Sequence, residues 1–167
     1  VNRTSKDALR FTMMTSKIDA QLVFDFQKAV DTTKDNMSYY VQYAHARASS
    51  VLEKATDKPE WEDASTECLG RLVTTAEKAV IKKMAAWEDV VHSATFKMEP
   101  HRVAYYLYEL ASSFHSLWTK GNQDETLRFI VEDDDELTMA RLVLAQCVAY
   151  VIKSGLDVLG VSAPKSM

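Results

Sequence analysis

The stretch Pro100-His101-Arg102-Val103-Ala104-Tyr105-Tyr106-Leu107-Tyr108-Glu109-Leu110-Ala111-Ser112-Ser113-Phe114-His115-Ser116-Leu117-Trp118-Thr119-Lys120-Gly121-Asn122 decides the fold class. Within it Val103, Leu107, Leu110, Phe114 and Leu117 recur at spacings of four, three, four and three, which lays them along one face of a helix. Pro100 suits a first helical turn, where its missing N–H costs nothing, and Gly121-Asn122 reads as the end. The spacing predicts a helix over His101–Lys120.

The same period extends outward on both sides. Toward the C-terminus a polar loop holds Leu127, Phe129 and Ile130, and a long helix begins near Asp135 or Glu136. Leu137, Ala140, Leu144, Cys147 and Val151 are its expected buried stripe, and Gly155 and Gly160 break or close it. Toward the N-terminus Ala76, Val80, Met84 and Trp87 mark one apolar face of a helix that starts near Thr75 and is interrupted at Met98-Glu99-Pro100. A further helical stretch is expected from about Glu62 to Thr74, and Pro59 sits in a turn before it. Asn36 is a good N-cap for a helix over Met37–Ala55. Short helices are expected over Lys6–Ser16, capped by Thr4 or Ser5, and over Phe24–Thr33. Only 4 Gly and 3 Pro occur, too little punctuation for many short strands. The fold class is therefore all-α, a bundle of roughly six to eight helices forming one domain across residues 1–167.

Composition narrows the function. Hydrophobic residues make up 47% and charged residues 26% of the 167, an ordinary balance for a globular chain. The net charge of −4 argues against a nucleic-acid partner only until its distribution is read: Glu132-Asp133-Asp134-Asp135-Glu136 alone carries five negative charges. Cys68 and Cys147 form no zinc-type spacing and suit a reducing cytoplasm. No apolar run reaches the length of a membrane span, and the start at Val1 is expected of a fragment. Catalytic templates fail. No GxGxxG or GxxxxGK[ST] phosphate loop and no GxSxG elbow is present. The residues three before His45, His92, His101 and His115 include one carboxylate, Asp89, so no di-iron pattern arises and no metal site is expected.

Three features exceed a generic bundle. Tyr39-Tyr40-Val41-Gln42-Tyr43-Ala44-His45-Ala46-Arg47 puts Tyr40, Tyr43 and Arg47 at i, i+3 and i+7 of one helix. Phe114 and Trp118 lie one turn apart, followed by Lys120, and such a pair of aromatics beside a cation can stack unpaired bases and hold a phosphate backbone. Phe114 also lies on the buried stripe, so its core reading stands beside the contact reading, and Trp118 is the better platform. The apolar tail Leu156–Pro164 is expected to pack back on the bundle and deliver Met167 to a fixed place.

Taken in order, several strings resemble one family. Asp7-Ala8-Leu9-Arg10 resembles the motif that names the DALR anticodon-binding domain. Phe11–Met14, Phe24-Asp25-Phe26, Asp35-Asn36 and the tyrosine-rich helix resemble its arginyl-tRNA synthetase version, as do Tyr106–Ala111, Phe114-His115, Ala140-Arg141-Leu142, Ser154–Gly160 and the Ala163-Pro164 … Met167 finish. The tyrosine-rich helix and the tail distinguish it from the cysteinyl and other relatives. One departure is that Met37-Ser38 follows Asn36 where the family usually has Pro. The resemblance implies the C-terminal anticodon-binding part of a class I arginine–tRNA ligase, itself non-catalytic, with ATP and Mg used elsewhere in the intact enzyme. It implies the arginine tRNA and the enzyme's own catalytic domain as partners, and neither a membrane nor DNA. It places Phe114, Trp118 and Met167 at anticodon-contact positions, with Tyr40, Tyr43 and His45 near the same groove and Arg47 and Lys120 as phosphate contacts. The competing reading is a non-catalytic helical protein-interaction module.

Overall fold

The computed structural model describes residues 6–17, 19–21, 24, 25, 27, 31–33, 35–55 and 64–167. Among them seven α-helices occur and no strand: α1 Lys6–Met14, α2 Met37–Lys54, α3 Thr66–Leu69, α4 Thr75–Ala85, α5 Trp87–Lys97, α6 His101–Gln123 and α7 Asp135–Leu159, with a 3-10 turn at Glu125–Leu127. The expected caps at Thr4 and Ser5, the turn at Pro59 and residues 26 and 28–30 of the expected helix over 24–33 fall outside the described residues.

Local chemistry sets the helix ends. Asn36 caps α2 by accepting from the Tyr39 amide at 3.2 Å, so the helix starts correctly without the proline. Thr74 and Glu77 form a reciprocal capping box at the start of α4. Asp134, inside the acidic run, caps α7 through the Leu137 amide at 3.0 Å, where a carboxylate also meets the favourable end of the helix dipole. Gly160 closes α7 in the left-handed region at φ 65, and the Val161 amide reaches back to the Leu156 carbonyl at 2.9 Å.

Several boundaries differ from the sequence reading. The face from Ala76 to Trp87 belongs to two helices, because the chain bends at Ala86. The stretch before Thr75 is helical only at Thr66–Leu69 among the described residues. Gly121 does not end α6. It lies inside the helix, and a Cβ there would sit 2.9 Å from the Leu127 carbonyl oxygen, so glycine lets the following loop fold back against the helix. Gly155 likewise continues α7, with Leu107 of α6 filling the space a Cβ would need. The buried stripe of α7 runs through Ala140, Leu144, Val148, Ile152, Leu156 and Leu159, while Leu137, Cys147 and Val151 are only half-buried.

The core lies where α2, α6 and α7 meet. Val41, Ala44, Ala48, Leu107, Leu110, Phe114, Val148, Ile152 and Leu156 are closed to water there, and α1 adds Phe11. α7 has the length and apolarity of a membrane span, with a mean hydropathy of 1.6, yet neighbouring helices cover much of it, as befits the central helix of a bundle. Among the described residues one buried ion pair joins α7 to α4. Arg141 on α7 donates to Glu77 at 2.8 Å and to the carbonyls of Thr126 and Arg128 at 2.7 Å each, and Thr74 supplies two further bonds to Glu77. Burial alone would raise the Glu77 pKa, but the hydrogen bonds from Thr74 and Arg141 outweigh it and hold the carboxyl below its usual range.

Candidate nucleic-acid interface

The tyrosine-rich face of α2 lies against α6 and meets the aromatic residues there. Arg47 is the hub. Its guanidinium lies 4.3 Å from the centre of the Tyr43 ring and 5.3 Å from that of Trp118, and its Nη1 donates to His115 Nδ1 at 3.0 Å. On the other side of that imidazole, Nε2 is 3.1 Å from the Tyr40 carbonyl oxygen. Arginine can only donate and a carbonyl can only accept, so His115 is the neutral tautomer with its proton on Nε2. Burial is the main reason its pKa falls to about 4; the Tyr40 bond opposes the fall and the Arg47 charge adds to it.

Trp118 stands on this frame, half-buried and resting on Phe129, ring centres 5.7 Å apart. It is the shared wall of two depressions. One, of about 300 Å3, is lined by Tyr43, Ala46, Arg47, Ser50, Glu53 and Trp118 together with Lys165, Ser166 and Met167 of the tail. The other, of about 190 Å3, is lined by Val51, Lys54, Trp118, Gly121, Asn122, Arg128, Phe129 and Ile130. Arg47, Lys54, Arg128 and Lys165 thus gather around one indole in a chain whose net charge is −4. Arg128 also pairs with Glu125 at 2.8 Å.

The tail is tied down before it reaches the groove. Gln42 donates to the Ser162 carbonyl at 2.9 Å, and His45 Nδ1 donates to the Pro164 carbonyl at 2.8 Å. Met167 then lines the same groove as Trp118 and is 55% exposed, so a loop-sized ligand has access to it.

These positions sort the expected site residues. Trp118, Tyr43, Arg47 and Met167 converge on one groove. Phe114 does not present a surface. It is fully buried, with ring centres 5.6 Å from Phe129 and 6.2 Å from Trp118, so the direct base contact expected of it is corrected to a supporting position under the platform. Tyr40 is half-buried, its ring 4.4 Å from that of His115 and 5.2 Å from that of Tyr108. His45 is buried and turned to the tail. Lys120 lines neither depression: two residues past Trp118, it points to another side of α6. Sequence reasoning missed Lys54, Arg128, Phe129 and Lys165. Phe129 left a trace as an apolar residue in a polar loop, whereas the three cations had no periodic signal. Among the described residues no group of His, Cys, Asp and Glu converges as a metal site, and nothing resembles a phosphate cradle.

Comparison with known proteins places this arrangement. The chain is 46% identical over 176 residues to an arginine–tRNA ligase of Bradyrhizobium sp. (strain ORS 278), an alignment covering all of this chain and 29% of that protein. It is 45% identical over 170 residues to the one from Ruegeria pomeroyi, again with all of this chain and 29% of the relative covered. The chain therefore spans under a third of the length of these relatives. The arginyl-tRNA synthetase structure from Thermus thermophilus superposes with a TM-score of 0.71 at 29% identity, over 96% of this chain and 26% of that one. The family model described as the DALR anticodon binding domain matches residues 41–167, so Asp7–Arg10 lies outside the match and α2 through the tail carry it. On that match the chain belongs to the DALR anticodon-binding domain family.

Proposed function

We propose that this chain, from α1 to the tail, is the anticodon-binding domain of an enzyme that ligates arginine to its tRNA with ATP in the cytoplasm. It holds the anticodon stem-loop in the groove between α2, α6 and the tail. α1 is included because it packs on α2, α6 and α7 and buries Phe11 in their common core. Activation of arginine by ATP and Mg belongs to the remainder of the enzyme, and no step of it is routed through residues described here.

The observation that carries the reading is the exposed part of Trp118, flanked by a depression on each side and surrounded by Arg47, Lys54, Arg128 and Lys165. Anticodon-loop bases are unpaired and can be splayed onto an aromatic ring, while nearby cations hold the connecting phosphates. Tyr43, Arg47 and Met167 line the groove together with Trp118. Phe114 and Tyr40 brace the wall, and His45 places the tail.

Replacing Trp118 with alanine in the intact enzyme is expected to weaken tRNA binding by about 1–3 kcal/mol, the worth of one stacked base, with helical content nearly unchanged. The tRNA KM should rise while the KM values for arginine and ATP stay in place. Unchanged tRNA affinity together with a large loss of melting temperature would reduce Trp118 to a core residue and remove the main support for this reading.

A further inference from the structure

Val161 is the last fully buried apolar residue of the tail that carries Met167, and beyond it only the half-buried Ala163 packs against the core. Much of the tail's direction therefore rests on a few polar bonds near its root. Asp7, in the first turn of α1, accepts from the Ser162 amide at 3.3 Å and from the Ser162 hydroxyl. The same Oδ2 accepts from Gln42 Nε2 at 3.2 Å, and that amide group also donates to the Ser162 carbonyl at 2.9 Å. Ser162 is thus gripped at its amide, carbonyl and hydroxyl by one carboxylate and one amide. Just upstream, the Arg10 side chain occupies the place a Cβ on Gly160 would take. Two residues downstream, His45 holds the Pro164 carbonyl at 2.8 Å.

One anchor fixes a point on a chain; two fix its direction. Met167 lies three positions beyond Pro164, a reach of about 10 Å when extended. A tail held only at Pro164 swivels, and its last side chain then samples a volume wider than the groove. With Ser162 also held, Lys165, Ser166 and Met167 are directed into the groove that Trp118 also lines. The Asp7 bonds are charge-assisted, the stronger class of such anchors; the one from Gln42 is part-buried and the two from Ser162 are exposed.

We propose that Asp7 is a positioning residue: acting through Ser162 and Gln42, it sets where Met167 lies in the Trp118 groove. Asp7 itself lines neither depression beside Trp118. Its consequence for tRNA rests on the anticodon-binding reading above; its consequence for Met167 does not.

The test uses the full-length protein labelled on its methionine methyl groups, with the Met167 signal assigned by Met167→Leu. In the wild type that signal is expected to carry a ring-current shift from Trp118 and to lose it in Trp118→Ala. Asp7→Ala should move the Met167 methyl toward its free position, leave the Met84 methyl in place, and change the melting temperature little. Asp7→Asn, which keeps an acceptor oxygen, should restore part of the shift. Ser162→Ala breaks the same contact from the tail side, where no core is disturbed, and should move the same signal. A Met167 signal unchanged in both Asp7→Ala and Ser162→Ala overturns the proposal. For charging by the intact enzyme, Asp7→Ala should raise the tRNA KM roughly two- to tenfold, the cost of ordering one loose side chain on binding, with kcat unchanged. Combined with deletion of Met167, it should add nothing further. If the methyl signal moves but neither Asp7→Ala nor the Met167 deletion alters the tRNA KM, the positioning role stands and the anticodon-contact role of Met167 falls.

Discussion

Phe114 and Trp118 are one helical turn apart, yet only Trp118 keeps a face toward solvent. The difference comes from their neighbours: Phe129 covers one side of each ring, and α2 and α7 close the rest of Phe114. The histidine between them is the most perturbed titratable group of the interface. His115 is 6% exposed, and its pKa falls from an ordinary 6.5 to about 4. A base whose folded pKa is depressed stabilises the fold fully above its unfolded value and loses that contribution as pH falls through the folded one. The shift corresponds to about 3 kcal/mol, present above pH 6.5 and gone below about pH 4. Protonation would also cost Arg47 its acceptor and set two cations against each other. Denaturant titrations at pH 7 and pH 4.5 should therefore show a steeper acid loss in the wild type than in His115→Gln. An imidazole titrating near 6.5 by NMR would refute this account.

At the scale of elements, the loop after α6 matters as much as the helices. It carries Arg128 and Phe129, and it is held from below by Arg141 of α7 through the Thr126 and Arg128 carbonyls. Arg141 also neutralises Glu77, whose side chain is 1% exposed. Removing one partner of such a pair leaves the other buried and uncompensated, which costs about 3–5 kcal/mol. Arg141→Met should lower stability by that amount, and adding Glu77→Gln should recover part of it, because the neutral amide needs no counter-charge. Thermal melts of the two variants check the order. A double variant less stable than Arg141→Met would show that the Thr74 capping bonds to Glu77, not the ion pair, dominate. Close approach between helices follows the same logic at Gly155, where a Cβ would lie 2.6 Å from a Leu107 methyl, so Gly155→Ala is expected to cost about 1–3 kcal/mol by overpacking.

For the molecule as a whole, charge distribution outweighs net charge. The acidic run at 132–136 does separate work at the head of α7: Asp134 caps the helix and takes two 2.6 Å bonds from Arg71. On the proposed function, the cations that would meet RNA are those around Trp118, from α2, the loop after α6 and the tail. Four such cations set a ceiling on salt dependence. For single-stranded RNA the slope of log affinity against log salt is about −0.7 per phosphate contact, so the groove should contribute no more than about −3. Lys54→Ala should make the measured slope shallower by about 0.7 while leaving base preference unchanged. An unchanged slope would remove Lys54 from the phosphate contacts.

Helix type and much of helix placement were legible in the chain before any coordinates. The stripe Val103–Leu117, the cap at Asn36 and the stop at Gly160 are local, written in spacing and in side chains that bond their own backbone. The half-buried position of Trp118 was legible for the same reason, as an aromatic at the edge of an apolar stripe. The ordered motifs also pointed to the family. The burial of Phe114 was legible in the Val103–Leu117 stripe, whereas the break at Ala86, the passage of α6 through Gly121 and the true stripe of α7 were not. Each depends on what another element places beside it: the folded-back loop at Gly121, Leu107 at Gly155. The basic ring around Trp118 was hidden for the same reason, since Arg47, Lys54, Arg128 and Lys165 come from three separate segments of the chain. Periodicity records which face of a helix leaves water. Only the tertiary structure decides which neighbour covers that face, and so which of two adjacent aromatics remains free to meet a base.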